Sequence, residues 1–140
     1  MKINFKLSEF VISEDKIPLS VGDKILKYHI EPMNTVRDII QIPIYPSQNS
    51  GYRTVEWEIS HGRSGNSQHT FKGKGAVDWT CKDFKKNKDD FLNLIIEYTD
   101  YTRIAIYNSF IHCDYKKTST GKREVFKSDS SSKWTFIKHI

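Results

Sequence analysis

Three side chains in this sequence have the types and spacing to hold a metal ion: His69, Asp78 and His112. A catalytic zinc takes three protein ligands from His, Asp, Glu or Cys and keeps a fourth position for water. His69 ends a polar loop. Asp78 follows in Val77-Asp78-Trp79, where an acidic group among apolar neighbours is costly unless it is paired or bound to a metal. His112 lies in Phe110-Ile111-His112-Cys113-Asp114, whose alternation sends His112 and Asp114 to one side of a strand and Cys113 to the other. On residue types alone, two strands carrying ordinary half-buried polar residues are the competing account. His29, His61 and His139 have no such company and are expected to be structural or exposed.

These side chains need a scaffold to converge. Ile3 to Phe10 alternates weakly and reads as an extended entry to a turn. Ser20 and Asp23 form an approximate capping box opening a helix with Ile25, Leu26 and Ile30. Pro32 is expected to break or kink it, and Met33, Val36, Ile39 and Ile40 continue at helical spacing. Ile42 to Tyr45 reads as a strand, Pro46 to Tyr52 as a turn into an extended piece ending at Arg53, and Thr54 as the cap of a short helix through Ile59. Gly62 to Ser67 is a loop and Ala76 to Trp79 a strand. Asn87 is expected to cap a helix with Phe91, Leu94, Ile95 and Tyr98 on one face. Arg103 to Tyr107 and Phe110 to Tyr115 read as strands around Asn108-Ser109. Arg123 to Lys127 and Lys133 to Lys138 read as a closing hairpin across a Ser-rich turn. The expected fold class is α+β, helices packed on a mostly antiparallel sheet.

At 140 residues the chain fits one domain, 1–140. No apolar run reaches membrane-spanning length, so membrane insertion is not expected. The N-terminal MKINFKLSEF has no apolar signal region, which gives the expectation of a chain made in the cytoplasm. The net charge of +5 favours an anionic partner such as nucleic acid, a membrane surface or a bacterial wall. Its densest run, Lys82 to Lys88, is interleaved with acids and reads as a solvated face. No nucleic-acid recognition motif accompanies the charge. Cys81 and Cys113 can approach one another or sit as core thiols; buried free thiols are the expectation for a cytoplasmic product.

Four segments occur in order: Ser50-Gly51-Tyr52-Arg53, Asn66-Ser67-Gln68-His69, Gly75-Ala76-Val77-Asp78-Trp79 and Phe110-Ile111-His112-Cys113-Asp114. Together they resemble the zinc D-alanyl-D-alanine carboxypeptidase family. That family includes vancomycin-resistance dipeptidases and phage L-alanyl-D-glutamate endolysins, and it shares its fold with the hedgehog signalling domain. Asn4 to Phe10 and Val36-Arg37-Asp38 are similar too, so the likeness runs from Phe5 to about Tyr115. It implies a hedgehog/DD-peptidase-like fold with His69, Asp78 and His112 as zinc ligands. Arg53 would bind the substrate's carboxylate, and Ser67 would orient the substrate or the ligand loop. The implied activity is that of a metallopeptidase, a hydrolase cutting peptidoglycan stem peptides in cell wall degradation. A bound zinc would polarise the scissile carbonyl and acidify a water. The missing signal region, small size and basic charge then suggest a phage lysis enzyme released to the wall, or a virion component; a monomer is expected.

Two departures from the family pattern stand out. The loop Thr70 to Gly75 is longer than usual, which loops tolerate cheaply. Many relatives carry a carboxylate general base three residues before the last zinc His, and here that position is Ser109. Asp114 is the substitute, as general base or as a residue that orients His112, with Glu97 a more distant alternative. The serine also motivates a different account: a catalytically inactive, zinc-stabilised binding or virion structural module of the same fold.

Overall fold

The computed structural model describes residues 5–12, 16–48, 50–128 and 133–140. Ile3, Asn4, Asn49 and the Ser-rich turn of the last hairpin lie outside them. Helices α1 (Leu19–Ile25), α2 (Glu31–Ile40), α3 (Val55–Ser60) and α4 (Phe84–Tyr98) accompany six strands. The strands are β1 (Ile44–Pro46), β2 (Ala76–Cys81), β3 (Arg103–Ile106), β4 (Ile111–Asp114), β5 (Glu124–Ser128) and β6 (Trp134–His139). They form one sheet in the order β1-β2-β4-β3-β5-β6. Every pairing is antiparallel except β3 with β5. The α+β class with a mostly antiparallel sheet is therefore what the chain adopts. No helix among the described residues is long and apolar enough to cross a membrane.

Side chains alternate across a strand, and here the alternation divides the sheet cleanly. Val77, Trp79, Ile111, Cys113, Ile104 and Val125 are at most 1% exposed. They share one core with Ile25, Met33 and Val36 of α1 and α2 and with Phe84, Phe91 and Ile95 of α4. The opposite face carries Asp78, His112, Asp114 and Arg103. Cys81 and Cys113 are buried free thiols, and Cys113 lies on the helix-covered side, away from His112.

Several local expectations are revised. Helix α1 starts at Leu19 after Pro18, with no side-chain cap, so Ser20 sits inside its first turn. Pro32 does not break the run from α1 to α2. A π-helical turn, Leu26–Ile30, precedes it, and the Tyr28 carbonyl, four residues before Pro32, accepts from the Tyr115 hydroxyl in place of the missing N–H. Helix α4 begins three residues before Asn87, after Asp83 in a left-handed conformation (φ 52°). Asn87 instead donates from its side chain to the Lys82 carbonyl. The turn expected at the end of the N-terminal segment is a 3-10 turn, Leu7–Phe10. Thr54 likewise caps α3 as expected, accepting from the Trp57 amide at 3.0 Å.

Gly51 marks where the N-terminal segment meets the site-bearing loop. The Tyr52 amide donates to the Phe10 carbonyl at 2.6 Å, and Val11 bridges to Tyr52 in parallel. A Cβ at position 51 would collide with the Phe10 backbone, which cannot swing aside as a side chain would. Gly51→Ala is expected to lower stability by about 1–3 kcal/mol, the usual cost of overpacking. A denaturant midpoint equal to that of the parent would contradict this.

Candidate metal centre

The register of β2 against β4 makes Asp78 and His112 direct cross-strand partners. Directly opposed residues point to the same face, so strand pairing alone brings this carboxylate and this imidazole together. The Asp78 backbone is clamped as well. Its amide donates to the Ser50 carbonyl, and its carbonyl accepts from the Ser47 amide and from the Ser50 hydroxyl. His69 comes from a 3-10 turn, Gln68–Thr70, capped by the Ser67 hydroxyl. The Arg53 amide donates to the His69 carbonyl, and His69 Nδ1 lies 2.9 Å from the Gly51 carbonyl.

One ligand atom from each of His69, Asp78 and His112 falls within 4.8 Å of the others, and all three residues are buried. The hydrogen bonds set the tautomers. A carbonyl only accepts, so His69 Nδ1 carries the proton and Nε2 presents a lone pair, 3.4 Å from Asp78 Oδ1. His112 Nε2 lies 2.7 Å from Asp114 Oδ2, another pure acceptor, and so carries a proton too. His112 Nδ1 then faces Asp78 Oδ1 at 2.7 Å. Two lone pairs at that distance repel unless a proton or a cation stands between them. Metal-free, the ring must be an imidazolium. Burial works against that charge, but the hydrogen bonds to Asp114 and Asp78 prevail and lift the His112 pKa to about 9. A metal ion at the same point replaces the Nδ1 proton. Two imidazole nitrogens and one carboxylate oxygen thus fit a divalent cation.

Asp114 stands on the Nε2 edge of His112, away from the Nδ1 edge that meets Asp78. It is fully buried. Its carboxylate accepts from Arg103 Nε at 2.9 and 3.1 Å and from the Lys116 amide at 2.9 Å. This geometry fits the orienting role and not the general-base role, because both oxygens are occupied and neither faces the ligand cluster. Ser109 lies exposed in the β3–β4 turn, with its carbonyl accepting from Thr80. Glu97 is exposed on α4, which packs on the other side of the sheet.

Arg53 is nearly buried beside the cluster. Its guanidinium sits 3.9 Å from Asp78 Oδ2, 3.5 Å from Glu58 Oε2, and over the Trp57 ring at 5.3 Å. The Ser67 hydroxyl donates to Glu58 Oε2 at 2.6 Å and accepts from the His69 amide, a geometry that fits the ligand-loop alternative of its expected role. Glu58 and Arg103 are the residues that motif reading missed. Glu58 is fully buried and ties Arg53 to the His69 turn, while Arg103 fixes Asp114 behind His112. Neither stood out in the sequence: Glu58 lies five residues beyond Arg53, and Arg103 sits in the strand preceding the His112 strand, so both contacts come from the fold.

The long loop after His69 is tied down from behind. Lys24 Nζ donates to the Phe71 carbonyl, and His29 Nε2 donates to the Lys74 carbonyl at 2.9 Å. Burial lowers the His29 pKa to about 4, so the ring is neutral and its Nδ1 accepts from the Tyr101 hydroxyl. His29 is structural, as expected. His61 is exposed and stacks on Trp57, and His139 pairs with Glu124.

Asp114→Asn is expected to weaken divalent-metal affinity about 10–100-fold without unfolding the chain, as loss of a ligand's outer hydrogen bond does. Competition with a chromogenic chelator reads this directly. The chelated protein should also show two stability limits. The folded pKa of His112 is raised from 6.5 to about 9, so its contribution is complete below pH 6.5 and vanishes as pH climbs through 9. Asp78 and Asp114 are opposed by burial, yet the surrounding histidines, and Arg103 at Asp114, hold them well below the ordinary 3.8. The same ion pairs therefore fail again as pH drops below that value. Thermal melts with chelator across pH 3 to 10 should trace a plateau near pH 4–6.5; a metal-free protein as stable at pH 10 as at pH 6 would rule this out. No protein-family model matches the chain, and neither the curated proteins nor the solved structures contain a match to it.

Proposed function

We propose that this chain is a zinc peptidase that hydrolyses peptidoglycan stem peptides, as a D,D-carboxypeptidase or endopeptidase, on a hedgehog/DD-peptidase-like fold. The observation that carries this reading is the buried meeting of His69, Asp78 and His112 with the Arg53 guanidinium beside them. Four ordered motifs resembling one zinc peptidase family supply exactly this set of side chains, and the set converges on one face of the sheet.

When bound, zinc supplies Lewis acidity, polarising a carbonyl and acidifying a water. The chain's own residues do the rest. His69 Nε2, an Asp78 oxygen and His112 Nδ1 would hold the ion, and Asp114 with Arg103 fixes the His112 ring through its Nε2 proton. Arg53, steadied by Glu58 and Trp57, offers a planar fork of donors to a peptide carboxylate. The protein would act at the bacterial wall, as a phage lysis enzyme or virion component would.

One observation favours a second reading, a zinc-stabilised module of this fold without turnover. Both Asp114 oxygens are engaged, and Ser109 occupies an exposed turn. Zinc content and hydrolysis of purified peptidoglycan, measured separately, distinguish the two. The peptidase reading expects about one zinc per chain, with release of peptide fragments that disappears in His69→Ala and Asp78→Ala. It also expects Arg53→Lys to lower kcat/KM at least about tenfold on carboxyl-ended peptides, through loss of a charged hydrogen bond. A zinc-loaded parent that cuts no peptidoglycan would leave the module.

A further inference from the structure

The metal-bearing face of the sheet does not end at the metal ligands. Following cross-strand partners from Asp78 leads to His112, then Ala105, then Phe126, then Phe136. All five share a face. Trp134 leans over this row. Its ring lies 5.3 Å from that of His112, 5.2 Å from that of Phe126, and under the Arg103 guanidinium at 4.7 Å. Its indole N–H donates to the Tyr107 hydroxyl at 2.9 Å, which fixes the ring. Phe126 meets Phe136 edge to face, and Phe136 packs against His139, whose Nδ1 stands 3.9 Å from Glu124. Phe136 is 49% exposed. An aromatic shelf therefore runs out from a metal ligand, with a polar rim of His139 and Glu124 at its far end.

The rims and charges select an occupant. A pyranose ring presents a face of C–H bonds, which the negative face of an aromatic ring attracts, and a perimeter of hydroxyls that need donors and acceptors. The shelf offers rings in the middle and, at its edge, the exposed His139 backed by the buried Glu124, which also accepts from Thr120. The acids on this face are paired, Asp78 with Arg53, Asp114 with Arg103 and Glu124 with His139, so a polyphosphate meets no row of uncompensated cations along the shelf. Distance adds a further constraint. Strands lie about 4.8 Å apart, so Phe126 and Phe136 stand about 10 and 14 Å from His112 along the row. Extended peptide advances about 3.5 Å per residue, so that gap spans roughly three to four residues.

We propose that Phe126, Trp134 and Phe136, rimmed by His139 and Glu124, form a saccharide subsite. It would hold the sugar to which the stem peptide is attached, roughly three to four residues from the scissile bond. The choice of sugar rests on the peptidase reading above, since a wall peptide reaches the metal still joined to its glycan. The shelf makes the protein a reader of glycopeptide over free peptide.

Two measurements on the zinc-loaded protein test this. Calorimetric titration with an N-acetylglucosamine trisaccharide should show binding that weakens about tenfold in Phe136→Ala, with His139→Ala as a second, independent variant. Hydrolysis of one stem peptide, with and without its sugar, should show a lower KM for the sugar-bearing form in the parent alone, with kcat on the free peptide unchanged. Trisaccharide binding with no cleavage of either peptide keeps the subsite and removes the peptidase reading. Cleavage that ignores the sugar, with no trisaccharide binding, removes the subsite and keeps the peptidase. Binding that survives both substitutions, or is replaced by binding of an apolar peptide without sugar, overturns the proposal.

Discussion

A carboxylate oxygen and an imidazole nitrogen, both acceptors once the hydrogen bonds around them are satisfied, face each other across two paired strands. Asp78 and His112 can hold that position only with a positive charge between them. Much of the surrounding structure keeps them from relaxing apart. Ser47 and Ser50 grip the Asp78 backbone at its carbonyl and its amide, and Asp114 with Arg103 pins the far edge of His112. Gly51 gives its carbonyl to His69 while its missing side chain makes room for the N-terminal segment. A proton can occupy the gap, but a metal ion satisfies all three ligands at once. A cation bound there would relieve the cost of two opposed acceptors.

How much of this could be read from the sequence depended on the range of the interaction involved. The ligand residues were legible because their types are unusual in their settings: an aspartate between Val77 and Trp79, and a histidine inside an apolar strand. Thr54 was legible because an N-cap is a local hydrogen bond. Helix α4 was misplaced by a turn because Asp83 takes a left-handed conformation, and nothing within its immediate neighbours announces that. Pro32 looked like a break because proline usually is one, yet the π-turn before it absorbs the mismatch by changing the helix's own hydrogen-bond spacing. The role of Asp114 was open until Arg103 appeared across the β3–β4 pair, a contact that depends on register and not on spacing along the chain. Glu58 went unnoticed for the same reason: its partners Arg53 and Ser67 meet it only in three dimensions.

The sheet order explains why the site has one crowded side and one open one. Strand β4 is central, so His112 has neighbours on both flanks: Asp78 from β2 and Ala105 from β3. The last hairpin, attached through the single parallel pairing of the sheet, lies beyond β3 with its outer strand largely exposed.

The two-sided division of the sheet also governs the thiols. Cys113 follows His112 directly but sits on the helix-covered side, and burial pushes its pKa well above the ordinary value. Cys81, 3% exposed, is raised to about 11 by burial, with Asp83 adding to the effect. Neither offers a thiolate at neutral pH. The native chain is therefore silent toward maleimides and similar alkylating labels. A cysteine introduced at an exposed position of the outer strand would be the one reactive handle, and a fluorophore or spin label placed there would report on the shelf without disturbing the metal centre.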